Sequence, residues 1–164
     1  MSDAHDLGAD RAPTPFTADE IRRGCPDGHW LLVRVEAGGE VRHHRSAFEA
    51  GDAEGCTTTR VATDASGRPS GDVERSRVTW RELQAHAAFP VRATTVVPER
   101  IRLPFGERDC LRYDVRTDGG SSTFWFALDH PGMPVRYSAS DSIATVVAIG
   151  SDARELVAQR APLP

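Results

Sequence analysis

The side chains able to carry chemistry are six histidines, three cysteines and a set of carboxylates and arginines, and their spacing decides which reactions are open. His43 and His44 are adjacent, and on a strand neighbours point to opposite faces, so the two cannot grip one ion together. His29, His86 and His130 stand apart with no H-x-H or H-E-x-x-H spacing, so no metal is expected. Cys25, Cys56 and Cys110 lie 31 and 54 residues apart. That fits no C-x-x-C zinc or redox pattern, and three cysteines cannot all pair within one chain; buried free thiols are expected. Cys110 is the cysteine nucleophile to test, because Arg108 and Arg112 could lower its pKa by curling toward the sulfur. The alternative is a packing cysteine at the start of a strand. No G-x-S-x-G elbow is present, and Gly67-Arg68-Pro69-Ser70-Gly71 misses it by one residue. Asp109, Asp114, Asp129 and Asp141 could serve as general acid or base, with Arg112 or Arg136 stabilising negative charge, or could be solvated residues at strand ends. Arg136, between Val135 and Tyr137, could anchor a ligand carboxylate or face solvent.

A second group of candidates is aromatic. Phe124, Trp125 and Phe126 are consecutive, so on a strand Trp125 points one way and the two phenylalanines the other, and both faces must be apolar. One face could line a ligand cavity, or a helix could pack on one and a hairpin fold over the other. Trp80, on a helix expected to lie against the sheet, and Tyr113, on the strand preceding the aromatic triplet, belong to the same constellation.

The elements that must position these residues follow from composition and pattern. The 164 residues are 39% hydrophobic, or roughly 48% apolar with the 14 glycines included, which is ordinary for one globular domain and enough for a sizeable core. A net charge of −4 with interspersed signs offers no basic stripe for a phosphate backbone, so nucleic acid is not expected as a partner. All 20 basic residues are arginine, and there is no lysine or asparagine. This removes Schiff-base and P-loop chemistry and N-glycosylation, and the bias points to a GC-rich bacterial genome. The first 15 residues lack the basic and apolar regions of a signal peptide, no segment reaches 18 consecutive apolar residues, and no motif implies a cofactor. The expectation is a cytoplasmic protein with no membrane span.

Residues 1–15 read as a flexible tail and 16–164 as a single domain. Thr17 with Glu20 forms a capping box, and Gly24 is placed to stop the helix as a left-handed cap. Leu31, Val33 and Val35 alternate with Leu32, Arg34 and Glu36 along a strand from Trp30 to Glu36. Ala37-Gly38-Gly39 then turns the chain into Val41–Phe48. Strands are expected at Thr57–Thr63 and Val73–Thr79. Thr79 and Glu82 form a second capping box opening a central helix of about ten residues, Trp80 to Ala88, ended by Phe89-Pro90. Further strands are expected at Val91–Val97, Arg100–Leu103, Cys110–Thr117, Ser121–Leu128 and Val135–Ala139. Ile143–Ile149 should follow as a strand covered on both sides, with Val147 and Ile149 on the same face, and Ser151–Gln159 as a short terminal helix.

Within this pattern, Ile101-Arg102-Leu103-Pro104-Phe105-Gly106, then Cys110 and Tyr113, then Phe124-Trp125-Phe126-Ala127, then Pro131-Gly132-Met133-Pro134-Val135 resembles paired strands of the LolA/LppX lipoprotein-carrier superfamily of bacterial half-barrels. The resemblance covers 91–135. It implies a long curved antiparallel sheet around a helical plug, with a cavity that takes a lipid or another apolar ligand. The fold expected is therefore mainly β: one curved antiparallel sheet or half-barrel of about 8–10 strands packed around one central helix, with a short helix near the N-terminus. The function expected is non-catalytic binding of a small apolar or lipid-like molecule, with Trp80, His86, Tyr113, Trp125, Phe126 and Arg136 as ligand-binding residues. The cavity should measure several hundred Å³, the usual size of a ligand site, and have Trp80 and either Trp125 or Phe126 in its wall. Two alternatives stand beside it: a small-molecule enzyme of secondary metabolism in which at least two of His86, Asp114 and Arg136 converge, or a protein-interaction module with an exposed apolar patch. The sequence leaves the oligomeric state open.

Overall fold

Both capping boxes form. In the computed structural model, which describes residues 3–151, the Thr17 hydroxyl accepts from the Glu20 amide while the Glu20 carboxylate accepts from the Thr17 amide, at 3.1 and 3.0 Å. They open helix α1, Ala18–Gly24. Thr79 and Glu82 reciprocate in the same way at 3.0 and 2.7 Å and open helix α2, Trp80–Ala85. Each box satisfies two of the amides that a helix start leaves without partners. Gly24 does not stop α1 in a left-handed conformation; it is the last helical residue. A side chain there is excluded because a Cβ would lie 2.8 Å from the Pro131 carbonyl oxygen. Helix α2 is also shorter than the ten residues its sequence suggests. His86 caps it, and the following amides reach back only three residues, Ala87 to Gln84 and Ala88 to Ala85. Phe89, held out of the helical conformation by Pro90, turns its ring onto Phe124, with centroids 4.7 Å apart.

Nine strands make one open, curved antiparallel sheet: β1 Trp30–Ala37, β2 Glu40–Glu49, β3 Gly55–Thr63, β4 Glu74–Thr79, β5 Thr94–Leu103, β6 Gly106–Thr117, β7 Gly120–Ala127, β8 Arg136–Ala139 and β9 Ser142–Gly150. Their order is β4-β3-β2-β1-β9-β8-β7-β6-β5. Two meanders are therefore joined through β1 and β9, and α2 with a 3-10 turn at Val91–Ala93 links one edge of the sheet to the other. Gly38 and Gly39, at φ of +57° and +80°, make the two-residue β1–β2 turn, whose twist only residues comfortable at positive φ supply. The two strands expected between Val91 and Leu103 are one strand, running through Pro98. That is tolerated because β5 is an edge, where the missing N–H breaks no ladder.

Strand β9 is apolar on both faces, as its sequence suggests, but one detail differs. A bulge where β9 faces Leu32 and Val33 puts Val147 with Trp30, Leu32, Ala47 and Ala148 on one face, while Ile149 joins the main core on the other. An extra residue shifts the alternation, so Val147 and Ile149 part company. The expected helix at Ser151–Gln159 lies outside the described residues, apart from Ser151, which is not helical. No helix among the described residues is long and apolar enough to cross a membrane.

The main core lies between the two helices and one sheet face, with Phe16, Ile21, Trp80 and Ala87 meeting Leu31, Phe48, Tyr113, Phe126 and Val146. Residues 3–15, expected as a tail, lie against this body, with Ala12 and Thr14 each 3% exposed. The Ala12 amide donates to the Phe89 carbonyl and the Val91 amide to the Asp10 carbonyl. Gln84 is the polar node that ties the segment down: it accepts from the Ala18 amide and donates to the Ala4 carbonyl and the Thr14 hydroxyl. Replacing Gln84 with alanine removes three hydrogen bonds at a buried position and is expected to cost about 1–3 kcal/mol. Urea unfolding will read that loss, and limited proteolysis should cut near residues 3–15 faster than in wild type.

Candidate functional site

Alternation along β7 separates the aromatic triplet. Phe124 and Phe126 sit opposite Tyr113 and Leu111 of β6, on the face the helices cover, whereas Trp125 sits opposite Arg112 and Arg136 on the reverse face. On the helical face the rings form a continuous array. Phe126 meets Phe16 and Tyr113 edge-on at 6.2 and 5.3 Å, and Phe124 lies near Phe89 and Tyr137 at 4.7 and 4.8 Å.

The array does not fill the space beneath α2. A cavity of about 200 Å³ remains. Ile21, Leu83 and Ala87 form its helical side, Phe48, Phe124 and Phe126 its floor on the sheet, and Phe89 one end. Gly132, Met133 and Pro134 of the β7–β8 connection form its outer wall, and His86 stands at the rim. Met133 is 37% exposed, so this wall faces solvent. The His86 ring has no hydrogen-bond partner among the described residues and remains available to an occupant.

Of the six residues expected at a ligand site, two line the cavity, His86 and Phe126. Tyr113 stands one ring behind, its hydroxyl donating to the Pro13 carbonyl at 2.6 Å. Burial pushes its pKa up to about 12, so it holds the N-terminal segment as a neutral phenol. Trp80 is 4% exposed and bonds through its indole N–H to the Asp52 carbonyl at 2.8 Å, away from the cavity lining. Trp125 and Arg136 lie on the reverse face, where the guanidinium sits 5.8 Å from the indole centroid and donates to the Arg102 carbonyl of β5 at 3.2 Å. Trp125 donates to Glu99, and Glu99 in turn pairs with Arg112 at 3.2 Å. The cavity is also smaller than the several hundred Å³ expected, because Phe89 and Phe124 fill part of it. Sequence reading missed Ile21, Phe48, Leu83 and Met133. Their local spacing carries no mark of a cavity, because only the tertiary packing of α1, α2 and β2 leaves a gap between them.

The groups proposed for catalysis do not converge. Asp114 spends both oxygens on Thr123 and Arg112, each at 3.0 Å, on the face opposite His86. All three cysteines are buried and free. Burial, with Asp129, Asp109 and Glu99 adding, pushes the Cys110 thiol up to about 11, and the flanking arginines do not offset this: Arg108 pairs with Asp129 at 3.2 Å and Arg112 with Glu99 and Asp114. Burial pushes Cys25 up to about 12 and raises Cys56. We therefore expect native protein at pH 8 to react slowly with a thiol-disulfide reagent and to release three thiols on unfolding. One fast-reacting thiol in the native state would instead mark a nucleophile. Among the described residues no group of three or more histidine, cysteine or acidic side chains could hold a metal ion.

A larger open groove, about 760 Å³, runs over β1–β3 beside Arg42, His44, Arg60, Asp72 and Glu74. Burial first, then Arg60 and His43, lower the His44 pKa to about 4, so its ring is neutral near pH 7. Arg42 is paired with Glu40 at 2.8 Å. Charges of both signs line this groove, three carboxylates (Glu40, Asp72 and Glu74) against two guanidiniums (Arg42 and Arg60).

The fold and site together define a β-sheet domain with an apolar cavity between a short helix and the sheet. In comparisons with known proteins, no family model and no curated protein matches the chain.

Proposed function

We propose that this chain is a non-catalytic binding domain that holds a small apolar molecule between α2 and the sheet. The observation that carries the reading is the cavity of about 200 Å³ whose wall is almost wholly apolar, with His86 as the polar group at its rim. Engineered apolar cavities of about 150 Å³ stay dry and take benzene, so a space of this size suits an apolar occupant.

A half-barrel is the curvature this reading requires, and three facts favour it. Nine strands laid flat would span roughly 38 Å at about 4.8 Å per strand, whereas the link from Thr79 to Thr94 reaches about 35 Å only if drawn out straight. Edge strand β5 approaches β9 across three intervening strands. Arg136 of β8 reaches the backbone of β5 past β7 and β6. These favour a strongly curved sheet, as the resemblance to the lipoprotein-carrier half-barrels implies, with the β5–β8 half curling toward the face that carries Trp125 and Arg136.

The enzyme reading is weaker, because His86 lies on the opposite face from Asp114 and Arg136, and those two bond other groups, Asp114 to Arg112 and Thr123 and Arg136 to the Arg102 carbonyl. The interaction reading is weaker because the exposed large apolar residues, Val41, Val73, Val91, Val96, Leu128 and Met133, are distributed over several elements.

The test is a toluene titration of the full chain followed by methyl and aromatic NMR shifts. Saturable shifts at Leu83, Ala87 and Phe124, absent in Met133→Trp, are expected. No saturable shift at those residues would remove the reading.

A further inference from the structure

Resting on that reading, we infer that the occupant is a compact monocyclic aromatic molecule carrying one hydrogen-bonding substituent, such as a phenol or an aromatic acid, and not a long acyl chain. Three observations lead there. The first is size. If about 150 Å³ holds the six carbons of benzene, each carbon needs about 25 Å³, and 200 Å³ holds about eight. A sixteen-carbon chain would need about 400 Å³ by the same measure, while one ring with a two-carbon substituent fits.

The second is the lining. Four phenylalanines, Phe48, Phe89, Phe124 and Phe126, bound the cavity, and their rings meet neighbouring rings at tilted, edge-on and near-parallel angles at centroid distances of 4.7–6.3 Å. Those are the offset and T-shaped relations that aromatic pairs prefer, and a guest ring among them continues the pattern, where a saturated guest of equal volume gains only burial. The third is polarity. His86 occupies the rim with an imidazole that has no hydrogen-bond partner among the described residues, able to donate from one nitrogen or accept at the other. A hydroxyl or carboxyl on the exposed end of the ring meets it there and stays near solvent. Met133, flexible and polarizable, closes the outer side and suits ring contact.

The experiment titrates the full chain with 4-ethylphenol, ethylbenzene, ethylcyclohexane and palmitate, read by NMR shifts at Leu83 and Ala87. Ethylbenzene is expected to bind at least about five-fold more tightly than ethylcyclohexane, 4-ethylphenol more tightly still, and palmitate not measurably. His86→Ala should weaken 4-ethylphenol several-fold more than it weakens ethylbenzene. If ethylcyclohexane or palmitate binds as well as the aromatic probes, the aromatic inference falls while the cavity reading stands. Equal weakening of both aromatic probes by His86→Ala would overturn the role given to the rim. Should none of the four bind, both the inference and the function it rests on are wrong.

Discussion

Truncating Phe126 to alanine is expected to lower the free energy of unfolding by about 3–5 kcal/mol, the range for a buried phenylalanine. The ring is 3% exposed and touches Phe16, Tyr113 and Phe124, so its loss removes apolar burial and three ring contacts together. The space it leaves opens into the cavity already beneath α2, so the surroundings have little incentive to collapse and the cost should fall toward the upper end. Equilibrium urea unfolding checks this as a lower midpoint at nearly unchanged slope. Phe126→Leu, which restores most of the volume, should recover more than half of the loss. A Phe126→Ala variant of wild-type stability would mean the ring does not sit between the layers.

The second large effect is at Trp80. Its indole packs over Gly51, where an added Cβ would stand 3.5 Å from the ring, and its N–H holds the Asp52 carbonyl. Nearby, Gly55 passes so close to β4 that a Cβ would strike the Val78 carbonyl. The tryptophan thus pins the start of α2 onto the β2–β3 connection, and through it fixes where the helix crosses the sheet. Trp80→Ala is expected to cost about 3–5 kcal/mol. Trp80→Phe keeps much of the apolar area but leaves the Asp52 carbonyl without this donor, and should cost about 1–3 kcal/mol. Thermal unfolding of the pair separates packing from the hydrogen bond. Equal losses in the two variants would contradict this division.

These two residues also show what the sequence can and cannot convey. The β character was legible because alternation in Leu31–Glu36, the Gly38-Gly39 turn and both threonine-glutamate capping boxes are local signals whose meaning does not depend on distant residues. That β1 and β9 become neighbours, joining the two meanders, is a long-range pairing with no local mark. The same holds for the bulge that parts Val147 from Ile149. For the site, alternation correctly split Trp125 from Phe124 and Phe126, but period alone does not say which side the helices cover. Trp125 and Arg136 were therefore grouped with residues that face away from them. Residues 3–15 carry three aspartates and little bulk, yet Ala12 and Thr14 are buried because Gln84 bonds the Thr14 hydroxyl and Tyr113 the Pro13 carbonyl between them. Such partners, 70 to 100 residues distant, leave no trace in local composition.

The stability of the core and the identity of an occupant both depend on the space under α2 being empty, apolar and reachable past Met133. Diffraction from crystals held under xenon pressure tests that most directly, since xenon enters dry apolar cavities without needing any specific contact. A xenon peak bounded by Leu83, Ala87, Phe89 and Phe124 is predicted, and it should vanish in Met133→Trp. Density showing those side chains closed on one another, or ordered water in place of the gas, would contradict the account.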